Sequence, residues 1–205
     1  MKKEIFNLKN TNSLITGAGG LLGPEHAICL AEYGSNIILV DIDKINLKKA
    51  EKKIRKINKN AKINSFQVDI SNENAVIELS KKLLKMNIKI NILINNAALD
   101  PKMSHLDKTN GMIENYKIED LKREIDVGLV GSFICSKVFG SLMAKNKGGS
   151  IINIASDLAI LAPDQRVYSK NNKIESVKSF KPIGYPIVKS GMLGLNRYLA
   201  TYWAH

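Results

Sequence analysis

A tyrosine and a lysine four positions apart, Tyr185 and Lys189, are the residues of this sequence best suited to proton transfer. Four positions is about one helical turn, so both side chains lie on one face of a helix. Pro186 suits the start of that helix, because a missing N–H is harmless there. A phenol is a poor proton donor or acceptor near pH 7, since its reference pKa is about 10, and a neighbouring ammonium favours the phenolate. The pair predicts a general acid/base centre, although most such pairs are a half-buried tyrosine beside a solvated lysine.

A glycine-rich turn near the start of the chain is typical of a pyrophosphate site. Asn12–Thr16 is predicted to be a buried strand, Gly17–Gly23 a turn, and the residues through Ala31 a helix. Glycines let the backbone approach phosphate, and the helix N-terminus faces the anion. Asp41 ends the next strand, where an acidic residue accepts hydrogen bonds from ribose hydroxyls and repels a 2′-phosphate. The pattern predicts NAD in preference to NADP; a tight turn without a ligand is the alternative.

Strand and helix patterns alternate along the rest of the chain. Further strands are predicted at Asn36–Val40, Ile63–Val68, Ile88–Ile94 and within Gly148–Ser156. Helices are predicted from Asp43 to about Asn60, from Ser71 with the apolar stripe Ile77, Leu79, Leu83 and Leu84, and over Ile118–Met143. This alternation predicts an α/β fold, a doubly wound parallel sheet of Rossmann type, in one domain over residues 1–205. Such sheets bind ligands at the carboxyl ends of their strands. Five candidate residues fall at predicted strand ends: Gly17, Asp41, Asp69, Asn95 and Ser156.

Four motifs in this order resemble those of the short-chain dehydrogenase/reductase family. Thr16–Gly23 resembles its glycine motif, Asn95–Ala98 its Asn-Asn-Ala-Gly motif, Gly149–Ser156 its catalytic-serine strand, and Tyr185 with Lys189 its active-site pair. The resemblance covers essentially the whole chain. It implies an NAD-dependent oxidoreductase that transfers hydride reversibly between the nicotinamide and a secondary alcohol or ketone.

The resemblance also implies roles for individual residues. Tyr185 would be the general acid/base, Lys189 would hold the nicotinamide ribose, and Ser156 would orient the substrate. Asp69 would lie by the adenine. The implied cofactor-binding residues are Thr16, Gly17, Gly19, Gly20, Leu22, Gly23, Asp41, Asp69, Ile70, Asn95, Ala97, Tyr185 and Lys189. In the family the helix predicted at Ile118–Met143 also packs against its mate in a partner subunit, which implies a homo-oligomer.

The sequence departs from the family pattern in four places. Leu21 stands where the short branch has Gly, and the Thr-Gly-x-x-Gly-x-x-Gly spacing is typical of the extended branch. A sugar-nucleotide epimerase or dehydratase is therefore the second interpretation. Gly128 replaces the helical Asn that supports a water relay to the lysine. Ser156 and Tyr185 are 29 positions apart, more than is usual. The chain ends at His205, so we expect a C-terminally truncated member, and non-catalytic dinucleotide binding is the third interpretation.

The excess residues between Ser156 and Tyr185 predict a loop over the substrate, at about Pro163–Pro182. Long loops in compact domains are usually functional or disordered. The polar residues of this loop, Asp164, Gln165, Arg166 and Tyr168, favour a polyhydroxylated or sugar-like substrate. Asp157–Ala159, Pro163–Arg166 and Arg197–Trp203 also resemble a subgroup associated with surface-polysaccharide or flagellin sugar modification.

Composition limits the remaining possibilities. The net charge is +12, but the lysine-rich stretch Lys44–Lys62 has the pattern of an amphipathic helix without aromatic residues, so we expect no nucleic-acid partner. No stretch is expected to cross a membrane, and no secretion signal follows the first residues, which favours a cytoplasmic protein. The family resemblance implies a small-molecule substrate. Cys29 and Cys135 are predicted to be buried, reduced thiols. The three histidines are scattered, and no metal site is predicted.

Overall fold

The computed structural model describes residues 6–100, 111–146, 148–168 and 180–204. The chain divides into two compact units. The first comprises Met1–Ala97 and Gly131–Ile154, and the second comprises Ala98–Val130 and Ala155–His205. The predicted glycine turn lies in the first unit, and the predicted catalytic residues lie in the second.

The first unit contains a five-stranded parallel sheet, as predicted. Its strands are β1 (Asn12–Thr16), β2 (Asn36–Asp41), β3 (Ile63–Gln67), β4 (Ile92–Asn95) and β5 (Ser150–Asn153), in the order β3-β2-β1-β4-β5. All neighbouring pairs are parallel. Strands β2 and β3 are added on one side of β1, and β4 and β5 are added on its other side. Doubly wound sheets bind ligands at such a switch point, here between β1 and β4. β4 begins at Ile92 rather than at Ile88, because Ile88 and Ile90 pack against the core ahead of the paired residues.

Three helices of this unit begin close to the predicted positions. They are α1 (Gly23–Glu32), α2 (Lys44–Ile57) and α3 (Glu73–Lys85). The carboxylate of Asp43 caps α2 by accepting the backbone N–H groups of Ile45 (2.7 Å) and Asn46 (3.0 Å), as the sequence predicted. α2 ends at Ile57 and not near Asn60, because Asn58 has an extended backbone conformation.

The sheet has a hydrophobic core on each face. Leu14, Ile38, Val40 and Leu93 point to one face, whereas Ile15, Ile37, Leu39 and Ile94 point to the other. Alternation along each strand explains the division, because successive side chains point to opposite faces. Helix α3 contributes Val76, Leu79 and Leu83 to the first core, and α1 and α2 contribute Ala27, Ile28, Ala31, Leu47, Ala50 and Ile54 to the second.

Two predictions about buried side chains on these helices were wrong. Leu84 is 47% exposed, because α3 turns Val76 rather than Leu84 toward the sheet. Cys29 is exposed, since α1 buries Ala27, Ile28 and Ala31 and Cys29 lies off that face. Cys135 is buried as expected, and its burial raises the pKa of the thiol to about 12.

The long helix α4 runs from Ile118 to Lys145 and includes two π-helical segments, Asp126–Val130 and Ser136–Gly140. The wider π-helical turns rotate the side chains that follow them. The buried core residues of α4 are therefore Ile134, Cys135, Phe139 and Met143. The apolar side chains that the sequence singled out lie outside this buried set; they are Leu121, Ile125, Leu129, Phe133, Val138 and Leu142.

By length and composition alone, α4 is also apolar enough to cross a membrane, which departs from the expectation that no stretch would be. Half of its most apolar window is buried inside the protein. Core helices of globular proteins meet the same criterion.

The second unit is built around helix α5 (Gly184–Tyr202), which begins one residue before Tyr185, close to the predicted start. Short 3-10 turns lie at Ile113–Asn115, Asp157–Ala159 and Gln165–Tyr168. Helix α5 buries Val188, Lys189 and Met192. The first part of α4, up to Val130, belongs to this unit and packs against α5.

Candidate functional site

The turn after β1 is held against the residues that follow β4. The side-chain amide of Asn96 donates hydrogen bonds to the carbonyls of Thr16 (2.9 Å) and Gly17 (3.1 Å). The Thr16 hydroxyl accepts the backbone N–H groups of Asn96 (3.1 Å) and Ala97 (3.2 Å). Gly17 has φ +61°, and a Cβ there would lie 2.7 Å from the Ala97 Cα. Only glycine fits this position. The part that Asn96 has in holding the turn was not predicted.

The same turn leads into the N-terminus of α1 without side-chain capping. A Cβ on Gly23 would lie 2.6 Å from the Ala18 Cα, so the turn packs too tightly for a larger residue. Leu22 occupies the N-cap position and makes no side-chain hydrogen bond there, and Leu21 is 88% exposed. The Gly20 N–H is directed back to the Gly17 carbonyl at 3.1 Å. A backbone turn that is bare of Cβ atoms, followed by an uncapped helix N-terminus, suits a phosphate group.

Asp41 ties the end of β2 to this turn. One carboxylate oxygen accepts the Gly19 N–H at 2.8 Å, and the other accepts the Asp43 N–H at 2.9 Å. The side chain is half-buried beside the turn. Asp43, and not Asp41, caps α2, which removes helix capping as the reason for an acidic residue at the end of β2.

The other predicted residues at the strand ends differ in exposure. Asp69 is exposed, and its carboxylate accepts the N–H (2.9 Å) and the hydroxyl (2.6 Å) of Ser71, whereas Ile70 is part of the core. Asn95 is buried and donates to the Asn153 side chain at 2.8 Å. Among the described residues, the Asn95 Oδ1 atom has no hydrogen-bond partner.

In the second unit, α5 brings Tyr185 and Lys189 together on one face. The Lys189 Nζ atom lies 5.4 Å from the centroid of the Tyr185 ring. Lys189 is only 4% exposed. Burial lowers the pKa of its ammonium, because water no longer stabilises the charge, and the negative charge of Asp100 opposes this effect.

Ser156 follows β5 and caps the 3-10 turn at Asp157–Ala159. Its hydroxyl donates to the Asp157 carboxylate at 2.7 Å and accepts the Leu158 N–H at 3.2 Å. The hydrogen bond from Ser156 lowers the pKa of Asp157. The turn is fastened to α5 by Ser190, whose hydroxyl donates to the Ala159 carbonyl at 3.0 Å. The Ser156 hydroxyl must therefore leave Asp157 before it can donate to a ligand.

Val188 fills the space beside Gly128. A Cβ at position 128 would lie 2.5 Å from the Val188 Cγ1 atom, so a larger side chain there would collide with α5. Both residues are buried. The absence of the expected Asn is thus matched by an apolar side chain in the facing helix.

The polar side chains of the predicted substrate loop bind other groups within the loop. Arg166 pairs with Asp164 at 2.7 Å, and Gln165 accepts the Lys181 backbone N–H at 2.8 Å. Tyr168 is half-buried. Residues 169–179 of the loop lie outside the described residues, as do residues 101–110.

Two features of the second unit were not predicted. Lys181 places its Nζ atom 4.5 Å from the centroid of the Tyr185 ring. The carboxyl group of Glu124 is buried and accepts the Tyr116 hydroxyl hydrogen at 2.6 Å. A single buried Glu in a polar stretch of helix gave no sequence signal, and a lysine in a long loop is normally solvated.

Known proteins are similar to this chain in sequence. Residues 11–170 match a family model described as short chain dehydrogenase. The chain is 36% identical over 149 residues to an uncharacterised oxidoreductase of Bacillus subtilis, covering 73% of this chain and 51% of the relative. It is 26% identical over 199 residues to an NAD-dependent glycerol dehydrogenase of Listeria innocua, covering 97% and 67%.

A solved structure shares the fold. The structure of NAD+-bound xylitol dehydrogenase has a TM-score of 0.79 and 27% identity, with 97% of this chain and 66% of that chain covered. The chain thus spans about half to two thirds of the length of the proteins that it matches.

Proposed function

The chain belongs to the short-chain dehydrogenase family, and from this we propose that it binds NAD and acts as an oxidoreductase on a secondary alcohol or ketone. The observation that supports this most strongly is the buried Lys189 ammonium, 5.4 Å from the ring centroid of Tyr185 on the first turns of α5. A buried cation beside a phenol stabilises the phenolate and so prepares the group for proton transfer.

The residues of the first unit fit a dinucleotide. The turn at Gly17–Gly23 would hold the pyrophosphate, because added Cβ atoms at Gly17 and Gly23 would collide with the backbone. Asp41 would accept hydrogen bonds from the adenosine ribose, and its charge favours NAD over NADP. Asp69 and Ile70 would lie near the adenine, Asn95 would lie beside the cofactor at the end of β4, and Thr16 and Ala97 would support the turn. The cofactor, when bound, supplies the hydride acceptor or donor. The similarity to an NAD-dependent relative and to an NAD+-bound structure supports this choice.

In the second unit, the Tyr185 hydroxyl would pass a proton to or from the reacting oxygen of the substrate. Lys189 would hold the nicotinamide ribose and favour the phenolate. Ser156 would orient the substrate oxygen after its hydroxyl rotates away from Asp157. The substrate itself is proposed only as a class. Polyols and sugar derivatives are the first candidates, because relatives act on glycerol and xylitol according to their names.

We also propose that the protein self-associates through α4. Phe133 and Val130 on this helix are 49% and 37% exposed, and Ile118 is 57% exposed. Large apolar side chains that remain exposed along one helix are suited to a partner surface.

The proposed function is tested by titrating the full chain with NADH and NADPH, followed by measurements of NADH formation with a panel of polyols. Turnover that is lost in Tyr185→Phe would support the proposal. Sugar-nucleotide binding without net NADH release would favour an epimerase or dehydratase. Cofactor binding without any turnover would favour non-catalytic dinucleotide binding, and the absence of cofactor binding would contradict the proposal.

A further inference from the structure

Lys181 lies four residues before Tyr185 in the sequence, near the end of the long stretch that follows Ser156. The Lys181 Nζ atom lies 4.5 Å from the ring centroid of Tyr185, closer than the Nζ atom of Lys189 at 5.4 Å. Two ammonium groups therefore face one phenol ring. The family resemblance supplies a role for Lys189 but none for Lys181.

Three contacts hold Lys181 in this position. Gln165 accepts its backbone N–H at 2.8 Å and donates to its carbonyl at 3.3 Å. Asp100 accepts a hydrogen bond from its Nζ atom at 2.5 Å. The Lys181 side chain is only 10% exposed, whereas that of Asp100 is 46% exposed. A lysine fixed at its backbone and at its ammonium has little freedom left to lose on contact with the ring.

The chemistry of this contact depends on the state of the phenol. An ammonium over an aromatic face is attracted by the ring quadrupole, and more strongly when the pair is shielded from water. A phenolate carries a full negative charge, so the same ammonium favours it over the neutral phenol. The family resemblance implies an Asn at position 128 that supports the lysine; this chain has Gly128 instead, and Val188 packs against it.

We propose that Lys181 is a positioning residue that acts through Tyr185: it fixes the orientation of the ring and stabilises the phenolate, with Asp100 and Gln165 holding it in place. This inference rests on the proposed function, in which Tyr185 transfers the proton. Lys181 itself touches the ring of Tyr185 and is not assigned a contact with the substrate.

Nitration with tetranitromethane tests the inference without any substrate, because this reagent attacks the phenolate. The rate at Tyr185 is followed by peptide mass spectrometry, with the exposed Tyr198 and Tyr202 of the same helix as internal references. In Lys181→Met we expect the Tyr185 rate to fall by about threefold to tenfold, which corresponds to about 0.6 to 1.4 kcal/mol. Lys181→Arg should retain the wild-type rate, and so should the control Lys122→Met, on the exposed surface of α4.

The direction of the change separates the proposed role from a merely structural one. If Lys181 only shields the ring, its removal exposes Tyr185 and nitration becomes faster. A faster or unchanged rate in Lys181→Met overturns the inference. Should Lys181→Met fail to fold, Gln165→Leu provides the second variant: it removes both hydrogen bonds to the Lys181 backbone without changing any charge near the ring. It should also slow nitration of Tyr185, and an unchanged or faster rate would again overturn the inference.

Kinetics then distinguish this inference from the proposed function. With a substrate from the polyol panel, Lys181→Met should lower kcat by about tenfold while KM and the NADH dissociation constant stay unchanged. Lys181→Arg should restore kcat. If Lys181→Met keeps the wild-type kcat and Tyr185→Phe loses turnover, the inference about Lys181 is overturned and the proposed function stands. Full turnover in Tyr185→Phe overturns the proposed function.

Discussion

The carboxyl group of Glu124 lies directly against the backbone of Gly184, the first residue of the helix that carries Tyr185. Its Oε1 atom accepts the Tyr116 hydroxyl hydrogen at 2.6 Å, and its Oε2 atom has no hydrogen-bond partner among the described residues. Burial raises the pKa of Glu124, and the same burial together with the bond to Glu124 raises the pKa of Tyr116. A buried acid thus packs against the start of the helix that carries Tyr185 and Lys189.

Replacing Gly184 by Ala should destabilise the protein, because the new Cβ would overlap the Oε2 atom of Glu124. Overpacking of this kind costs about 1 to 3 kcal/mol. Gly194, on the same helix, is the matched control: nothing lies within 4 Å of a Cβ there. Gly194→Ala should be neutral or stabilising by up to about 1 kcal/mol, since Ala is the better helix former. Urea denaturation gives the free energy of unfolding of both variants. Equal values for Gly184→Ala and Gly194→Ala would contradict the packing argument.

Stability should depend on pH through Glu124. Its pKa is raised from 4.5 by burial, and the charges of Asp100 and Asp120 raise it further, whereas the bond from Tyr116 and the charge of Lys181 lower it. Above pH 4.5 the folded protein keeps a proton that the unfolded chain has lost. The free energy of unfolding therefore falls as the pH rises from 4.5 through the folded-state pKa.

Glu124→Gln removes this titration. Relative to the wild type, the variant should gain stability as the pH rises above 4.5, by at most about 1.4 kcal/mol for each pH unit. Denaturation curves of both proteins at several pH values from 4 to 8 provide the measurement. Stabilities that change in parallel over this range would show that Glu124 does not titrate differently in the folded state.

Asp41 should determine the choice of cofactor. A 2′-phosphate placed beside its carboxylate would be repelled, so we expect NADH to bind at least about tenfold more tightly than NADPH, or about 1.4 kcal/mol. Asp41→Asn should narrow this gap while keeping an acceptor for the Gly19 N–H. Asp43→Asn removes a nearby charge and keeps a good helix cap, so it should leave the ratio unchanged. Equal affinities in the wild type would rule out the role of Asp41.

Tyr185→Phe should abolish turnover, with a loss of at least about 10²-fold, and leave NAD binding nearly intact. In the proposed mechanism the phenol contacts the reacting oxygen in the transition state and contributes little to cofactor affinity. Lys189→Ala should reduce both turnover and cofactor affinity, because the proposed role of the ammonium is to bind the ribose and to stabilise the phenolate. Ser156→Ala should reduce turnover less than Tyr185→Phe, because the proposed role of Ser156 is to orient the substrate and not to transfer the essential proton. Steady-state rates and cofactor titrations of each variant give the comparison.

Self-association should depend on α4. Phe133 is an apolar side chain on this helix that is 49% exposed, and Phe133→Glu replaces it with a charged one. Burying that charge in an interface is unfavourable, so we expect the molecular mass by light scattering to fall toward that of a monomer. Ile45→Glu is the control, since Ile45 is 67% exposed on α2. A strictly monomeric wild-type protein would contradict self-association. An unchanged mass in Phe133→Glu would show that Phe133 does not lie in the interface.

The fold could be predicted from sequence because its signals are local. Apolar runs predict β1 and β2, and Asp43 predicts the start of α2. Gly17 predicts a turn at a position where a larger residue would collide with the backbone. The face of α4 could not be predicted, because the π-helical segments change the register within a continuous apolar pattern. The positions of Lys181 and Glu124 depend on contacts between residues far apart in the sequence, which periodicity does not record.

The packing of Val188 against Gly128 also has an evolutionary consequence. The two positions form a pair in which each residue limits what the other can become. If an ancestor carried Asn at position 128, either residue 188 was smaller than Val or Val188 had a different side-chain conformation. Restoring Asn alone would therefore force the Val188 side chain to move before any benefit to the lysine could appear. In a homologous series, residue identities at these two positions should change together, so absence of the Asn by itself does not identify an inactive lineage.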